Sequence, residues 1–162
     1  MKKQQVIFGI TMSIIMAYGM EVYNTAWKMG IPLLSGGFSN MTYEVFLAAL
    51  QEAAFMWIIV FVISAAWGTK AGAHLGEKLV DQKRDSPFVR GLARSGATVA
   101  VMCPTMSLVA SILFSIVLAG VPLVQLPAVW VGTVLKNFPM ALLWNIFVAT
   151  PLTKTITRKI CG

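Results

Sequence analysis

The chain has 162 residues, of which 57% are hydrophobic and 12% are charged, and its mean hydropathy is +0.76. A soluble domain carries about 25% charged residues, so this composition argues against a water-soluble fold. The formal net charge is +7. The basic residues cluster in short segments between apolar stretches, however, which indicates a membrane-topology signal rather than nucleic-acid binding.

Four apolar stretches fill most of the chain: Val6–Met29, Tyr43–Trp67, Ser95–Ala119 and Ala128–Thr150. About 20 residues of helix cross the hydrocarbon core of a bilayer, so each stretch is long enough to span it. The first stretch is too long for the core of a signal peptide, and we expect it to be retained as a helix. The predicted fold class is an all-α membrane protein with four transmembrane helices.

The distribution of basic residues predicts the orientation of these helices. Eleven of the thirteen Lys and Arg residues lie in the two tails and the central loop: Lys2, Lys3, Lys70, Lys78, Lys83, Arg84, Arg90, Arg94, Lys154, Arg158 and Lys159. The other two connections, residues 30–42 and 120–127, hold no charge. The positive-inside rule then predicts cytoplasmic N and C termini in a multi-pass protein of the bacterial cytoplasmic membrane. The basic segments are expected to lie near anionic lipid headgroups.

The central loop is predicted to be partly helical. From Lys70 to Gln82 the helix breakers are Gly72 and Gly76. We therefore expect the second helix to run past the membrane and to end near Asp85-Ser86-Pro87, where proline stops it.

The two halves of the chain resemble each other weakly. Gly30-Ile31-Pro32 follows the first apolar stretch, and Gly120-Val121-Pro122 follows the third, ninety residues later. We expect one transmembrane domain, 1–162, built from repeat units 1–85 and 86–162. Because each unit holds two spans, both units enter the membrane in the same direction, which predicts two parallel-repeat helical hairpins. A chance match between apolar sequences is the alternative.

Three charged residues lie inside the apolar stretches at one predicted depth: Glu21, Glu52 and Lys136. A charge at membrane depth is costly, so each is a candidate site residue. Asn24 and Lys28 share a helix face with Glu21 through i, i+3, i+7 spacing. Lys28 is close to the predicted outer boundary, where its long side chain is expected to extend to headgroups.

Polar residues accompany the charge on the fourth stretch. Asn137 follows Lys136 directly, and Pro139 removes a helix hydrogen bond and frees the carbonyl of Leu135 nearby. Asn145 lies two turns further along and is a candidate lining residue. Irregular backbone at membrane depth is tolerated where it is buried in protein or lines water.

The three charges allow three interpretations. Lys136 forms a structural ion pair with Glu52 or Glu21; or one acid pairs with Lys136 while the other exchanges protons in a hydrated cavity; or the charges are exposed. Two acids against one base leave one acid in excess, which a proton-coupled carrier needs.

Sulfur-bearing residues repeat at helical spacing on the first and third stretches: Met12, Met16, Met20, Met102, Cys103 and Met106. Thioether and thiol ligands select soft metals such as Cu(I), although Met is equally suited to packing. Packing is the interpretation that we adopt, so no metal site and no cofactor is predicted. A disulfide between Cys103 and Cys161 is not expected, and without a nucleophile–base pair the chain is not predicted to be an enzyme.

The segment Asn137–Pro151 resembles the end of a small two-helix bacterial membrane domain that is known as a family of unknown function. There a helix of this kind ends in an alanine-proline exit followed by basic residues, as Pro151, Lys154 and Arg158 do here. Two tandem copies of that domain would cover nearly the whole chain. The resemblance implies a fold but no activity.

A more distant similarity is to the proteobacterial antimicrobial compound efflux family, which has four helices in two tandem units. Trp144-Asn145 resembles the tryptophan-asparagine element of that family. A glutamate in the first helix carries protons in those proteins, and Glu21 is the matching candidate here.

These observations give two function hypotheses. The first is a small proton-coupled exporter of cationic or amphipathic compounds, with Glu21 and Glu52 as carboxylates, Lys136 as counter-ion, and Asn24, Asn137 and Asn145 as polar lining. The second is a membrane scaffold or accessory subunit, and soft-metal transport is a remote alternative. A bundle this small encloses little volume, so we expect a homo-oligomer or another membrane subunit as partner, in addition to the lipid bilayer and a cationic substrate, and no nucleic acid.

Overall fold

The computed structural model describes residues 3–81 and 84–161, and these form four long helices. They are α1 (Lys3–Lys28), α2 (Tyr43–Lys78), α3 (Pro87–Leu118) and α4 (Leu123–Cys161), and each is long and apolar enough to cross a membrane. The structure is 89% helical, with no strand in the described part of the chain. The predicted all-α fold with four membrane spans is confirmed, and the orientation of the termini stays a prediction.

Some predicted features fall on residues that are not described. Lys2 was assigned to the basic N-terminal tail, and Gln82 and Lys83 to the central loop; all three lie outside the described residues.

Three of the four helices contain π-helical turns. These turns are Ser64–Gly68 in α2, Ser111–Leu118 at the end of α3, and Asn145–Ala149 in α4. A π-helical turn shifts the side chains that follow it around the helix axis, and such turns are frequent at functional sites. The turn in α4 begins at Asn145, one of the predicted lining residues.

The boundary between α2 and α3 differs from the prediction. The extension of α2 past the apolar stretch is present, but it ends at Lys78, where the amide of Leu79 bonds to the carbonyl oxygen of Gly76. Ser86-Pro87 does not stop α2. It starts α3, because the Ser86 hydroxyl accepts a hydrogen bond from the Val89 amide at 3.3 Å. Serine is a favoured N-cap, and proline is well tolerated in the first helical turn.

The chain divides into two compact units. The first consists of Met1–Val62 and Ala149–Gly162, and the second of Ile63–Val148. The predicted repeat units are defined by sequence similarity and stay a prediction. The glycines that suggested the repeat do share a conformation, since Gly30 has φ 71° and Gly120 has φ 68°. A left-handed glycine is a common helix terminator.

One buried face of α1 has residues at four-residue spacing, and three of the four are small or short: Ser13, Ala17 and Thr25, with Glu21 between them. The final turns of α4 pack on α1, and the Thr153 hydroxyl donates a hydrogen bond to Met12 Sδ at 3.5 Å. Without a hydrophobic driving force between helices in lipid, close contact through small residues favours association.

The second unit is built on three glycines of α2. Gly68, Gly72 and Gly76 are buried and lie against α3. A Cβ atom on Gly72 would lie 2.7 Å from the Cα atom of Thr98. Gly72 and Gly76 were expected only as helix breakers, but in the structure they allow α2 and α3 to pack closely. The indole N–H of Trp130 on α4 also donates to the Pro104 carbonyl of α3 at 2.9 Å.

Candidate functional site

The buried charge of the first unit is Glu21 on α1. Its four-residue spacing from Ala17 and Thr25 places it on the buried face of the helix, and the residue is only 5% exposed. A carboxyl group in this position needs a partner, because a charge without one is costly inside a membrane protein.

The partner that the structure provides is a second acid. The carboxyl groups of Glu21 and Glu52 are close neighbours. An ionised carboxylate can only accept hydrogen bonds, so a bond between two carboxyl groups requires one proton. The predicted proximity of the two glutamates therefore creates a place where a proton can be held.

A lysine completes the cluster. Lys28 Nζ lies 2.6 Å from Glu52 Oε2, in an ion pair whose side chains are 43% and 26% exposed respectively. The extension of Lys28 to lipid headgroups stays a prediction; in the structure its ammonium group contacts an acid on the neighbouring helix. Its i, i+7 spacing from Glu21 was the signal for this contact, since it placed Lys28 on the face of α1 that meets Glu52.

Exposure increases along the series from Glu21 through Glu52 to Lys28. Glu52, which is half-buried, thus lies between the buried Glu21 and the exposed Lys28. It lies next to the buried carboxyl group of Glu21 and contacts the exposed ammonium group of Lys28. We call Glu21, Glu52 and Lys28 the acid–lysine cluster.

Two polar residues of α1 lie beside the cluster. Asn24 is half-buried, one turn after Glu21. Thr25 is 3% exposed, and its hydroxyl has no hydrogen-bond partner among residues 3–81 and 84–161. A buried hydroxyl without a partner costs roughly 1–3 kcal/mol, so this position favours a water molecule or a polar ligand group.

The other predicted site residues belong to α4 in the second unit. Lys136 is half-buried, and Asn137 and Asn145 are 5% and 4% exposed. The two asparagines share a buried face with Ala141, and Asn137 Oδ1 has no partner within the described residues. The cation observed on Glu52 is Lys28, and the pairing of Lys136 with either glutamate stays a prediction.

The sulfur atoms that suggested a soft-metal path take part in helix contacts. Met12 Sδ accepts the hydrogen bond from Thr153, and Met102 Sδ lies against Gly68. Cys103 Sγ lies 4.0 Å from the Ser107 hydroxyl. These contacts support packing as the function of the methionines.

Fold and site together define a small helical protein with four candidate membrane spans and an acid–lysine cluster of which Glu21 is the buried member. Residues 87–161 match a family model described as a domain of unknown function, DUF2798. The matched segment begins with α3 and ends with α4, and it coincides with the second predicted repeat unit. The predicted resemblance to an uncharacterised family is confirmed for this half of the chain.

No curated protein and no solved structure gives a match to the chain. The similarity to the antimicrobial compound efflux family stays a prediction.

Proposed function

We propose that this protein is a proton-coupled transporter that exports cationic or amphipathic small compounds across the bacterial cytoplasmic membrane. The observation that carries the proposal is the buried carboxyl group of Glu21 beside that of Glu52. Two neighbouring acids on adjacent membrane spans can hold one proton between them and release it.

The charge of the acid–lysine cluster supports a cationic substrate. Two carboxylates and one ammonium group give a net charge near −1 when all three are ionised. One proton or one organic cation neutralises that charge, whereas an anion would increase it at a cost of several kcal/mol in apolar surroundings. Protons and cations therefore compete for one site, which is the basis of exchange.

A flux assay on purified protein in vesicles tests this proposal. With an imposed pH gradient, we expect the chain to move cationic dyes against their concentration gradient, and to move neutral or anionic dyes of the same size no faster than protein-free vesicles. Collapse of the gradient with a protonophore is the control, and it should remove the flux. Cation flux that persists without the gradient would contradict proton coupling.

The accessory-subunit hypothesis has an observation in its favour as well. Only 11–22% of the residues in the most apolar windows of the four spans are buried inside the chain. The other residues of these windows keep some exposed surface that lipid, a second copy or the helices of another protein can contact. We propose a homo-oligomer for the transporter, and absence of flux for every cation tested would favour the accessory subunit.

Cysteine labelling tests the proposed topology. Ser35 and Ser86 are both exposed, and substitution of either by cysteine leaves the Lys and Arg pattern unchanged. With Cys161, which is also exposed, replaced by serine, we expect Ser35→Cys to react with an impermeant maleimide on intact cells. Ser86→Cys should react only after permeabilisation, and the reverse pattern would overturn the proposed orientation of the four spans.

A further inference from the structure

A second polar site lies at the opposite end of α1 from the acid–lysine cluster. The first turns of α1 and the last turns of α4 enclose a cleft of about 420 Å³. It is lined by Gln4 and Phe8 from α1 and by Lys154, Thr157, Arg158 and Cys161 from α4. All six residues belong to the first compact unit.

The lining of the cleft is suited to an anion. Lys154 and Arg158 contribute two positive charges, and none of the described residues that line the cleft is an acid. Thr157 is 4% exposed, yet its hydroxyl has no hydrogen-bond partner in the part of the chain that the structure describes. Burial of such a hydroxyl costs less when a ligand oxygen accepts a hydrogen bond from it.

Neighbouring side chains indicate that the ligand is a lipid. Phe8 provides an apolar wall, and the last turns of α4 also carry exposed apolar side chains, Leu152 at 44% and Ile160 at 60%. A surface that combines basic and exposed apolar residues at the end of a membrane span is typical of the headgroup region. Basic pockets between helices on the cytoplasmic side bind anionic headgroups.

We propose that this cleft binds the phosphate group of an anionic phospholipid. Lys154 and Arg158 contact the phosphate oxygens, the Thr157 hydroxyl and the Gln4 amide donate hydrogen bonds, and the acyl chains lie along Phe8 and the outside of α4. A free phosphate has the same charged group, but it lacks the acyl chains that those apolar side chains would contact.

Native mass spectrometry of the whole chain, titrated with phosphatidylglycerol in detergent, measures this binding. We expect saturable binding of one lipid per cleft, and at least tenfold weaker binding of phosphatidylcholine. Lys154→Gln and Arg158→Gln should each weaken phosphatidylglycerol binding about fivefold, in line with roughly 1 kcal/mol per basic residue near an anionic surface. Thr157→Val should also weaken it.

Matched control substitutions distinguish lipid binding in the cleft from general attraction to the positive surface charge. Lys159→Gln removes the same charge from the adjacent exposed residue, and Thr155→Val removes a hydroxyl that is exposed and bonds to the Pro151 carbonyl. Both should leave lipid binding unchanged. Equal weakening by all three basic substitutions would overturn the site, since it would show non-specific attraction.

Two further results would overturn the proposal. Displacement of the lipid by millimolar inorganic phosphate would assign the cleft to a soluble anion. Unchanged binding in both Arg158→Gln and Thr157→Val, with retention of the wild-type melting temperature, would show that lipid binds elsewhere.

Discussion

Glu21→Gln should reduce proton-driven cation flux to the level of protein-free vesicles while the protein remains folded. The amide has the shape of the acid but cannot take up and release a proton. Its NH₂ group can donate a hydrogen bond to Glu52 in place of the proton that the two acids hold between them. The variant should therefore be about as stable as the original chain, and a loss of flux is then assigned to chemistry.

Glu44→Gln is the control for this substitution. Glu44 lies in the first turn of α2 and is exposed, so its replacement changes the charge of the first unit equally without touching the acid–lysine cluster. Flux should be unaffected. The melting temperature of each detergent-solubilised variant is measured alongside flux, and unfolding of Glu21→Gln together with loss of flux would favour a structural function for the pair.

Glu52 has two partners, and its variants separate them. Glu52→Gln should abolish flux and also destabilise the protein slightly, because it leaves Lys28 without its ion pair. That pair is partly exposed, so its contribution is at most about 1 kcal/mol. Adding Lys28→Gln should recover the stability but not the flux, and recovery of both would indicate that pairing alone was lost.

The fold was predictable from composition and hydropathy because a membrane span leaves few alternatives. Backbone groups in lipid must be satisfied within the segment, so apolar stretches of this length become helices. The ends of the helices were less predictable. Ser86-Pro87 is consistent with either the stop of one helix or the start of the next, and the Ser86 cap on Val89 decides for the start.

The site was predictable in part. Glu21 and Glu52 were identified because buried charge in an apolar stretch is rare, and their apparent depth suggested proximity. Lys136 was predicted to pair with Glu52 or Glu21 from its depth, and that pairing stays a prediction, whereas the contact between Glu52 and Lys28 was not foreseen. A lysine at the end of a span extends several ångströms along the helix, and Lys28 uses this reach to contact Glu52.

The least predictable feature was the packing of the second unit, because glycine has opposite effects on the stability of soluble and membrane helices. In water, glycine inside a helix is destabilising by roughly 0.5–1 kcal/mol relative to alanine. Between membrane helices it permits close backbone approach, and a spacing of four residues places successive glycines on one face. The positions of Gly68, Gly72 and Gly76 satisfy this rule.

Gly72→Ala should therefore be among the most destabilising single-methyl changes in the chain. The new Cβ would lie 2.7 Å from the Cα of Thr98 and 2.6 Å from its hydroxyl oxygen. The nearest carbon belongs to the backbone, so α2 and α3 must separate to relieve the clash. We expect a loss of about 2–3 kcal/mol, the upper part of the range for overpacked cores. Gly76→Ala should be similar, since its Cβ would lie 2.9 Å from the Cα of Arg94.

Two other helical glycines provide matched controls for this prediction. Gly91 in α3 and Gly132 in α4 have negative φ, and a Cβ atom on either would meet nothing within 4 Å. Alanine at these positions should be neutral or stabilise the protein by up to about 1 kcal/mol through its higher helix propensity. Reversible unfolding of all four variants in mixed micelles measures the difference. If Gly72→Ala proved as stable as Gly91→Ala, α2 and α3 could not be packed as closely as the structure has them, because a methyl group cannot fit between backbones at that distance.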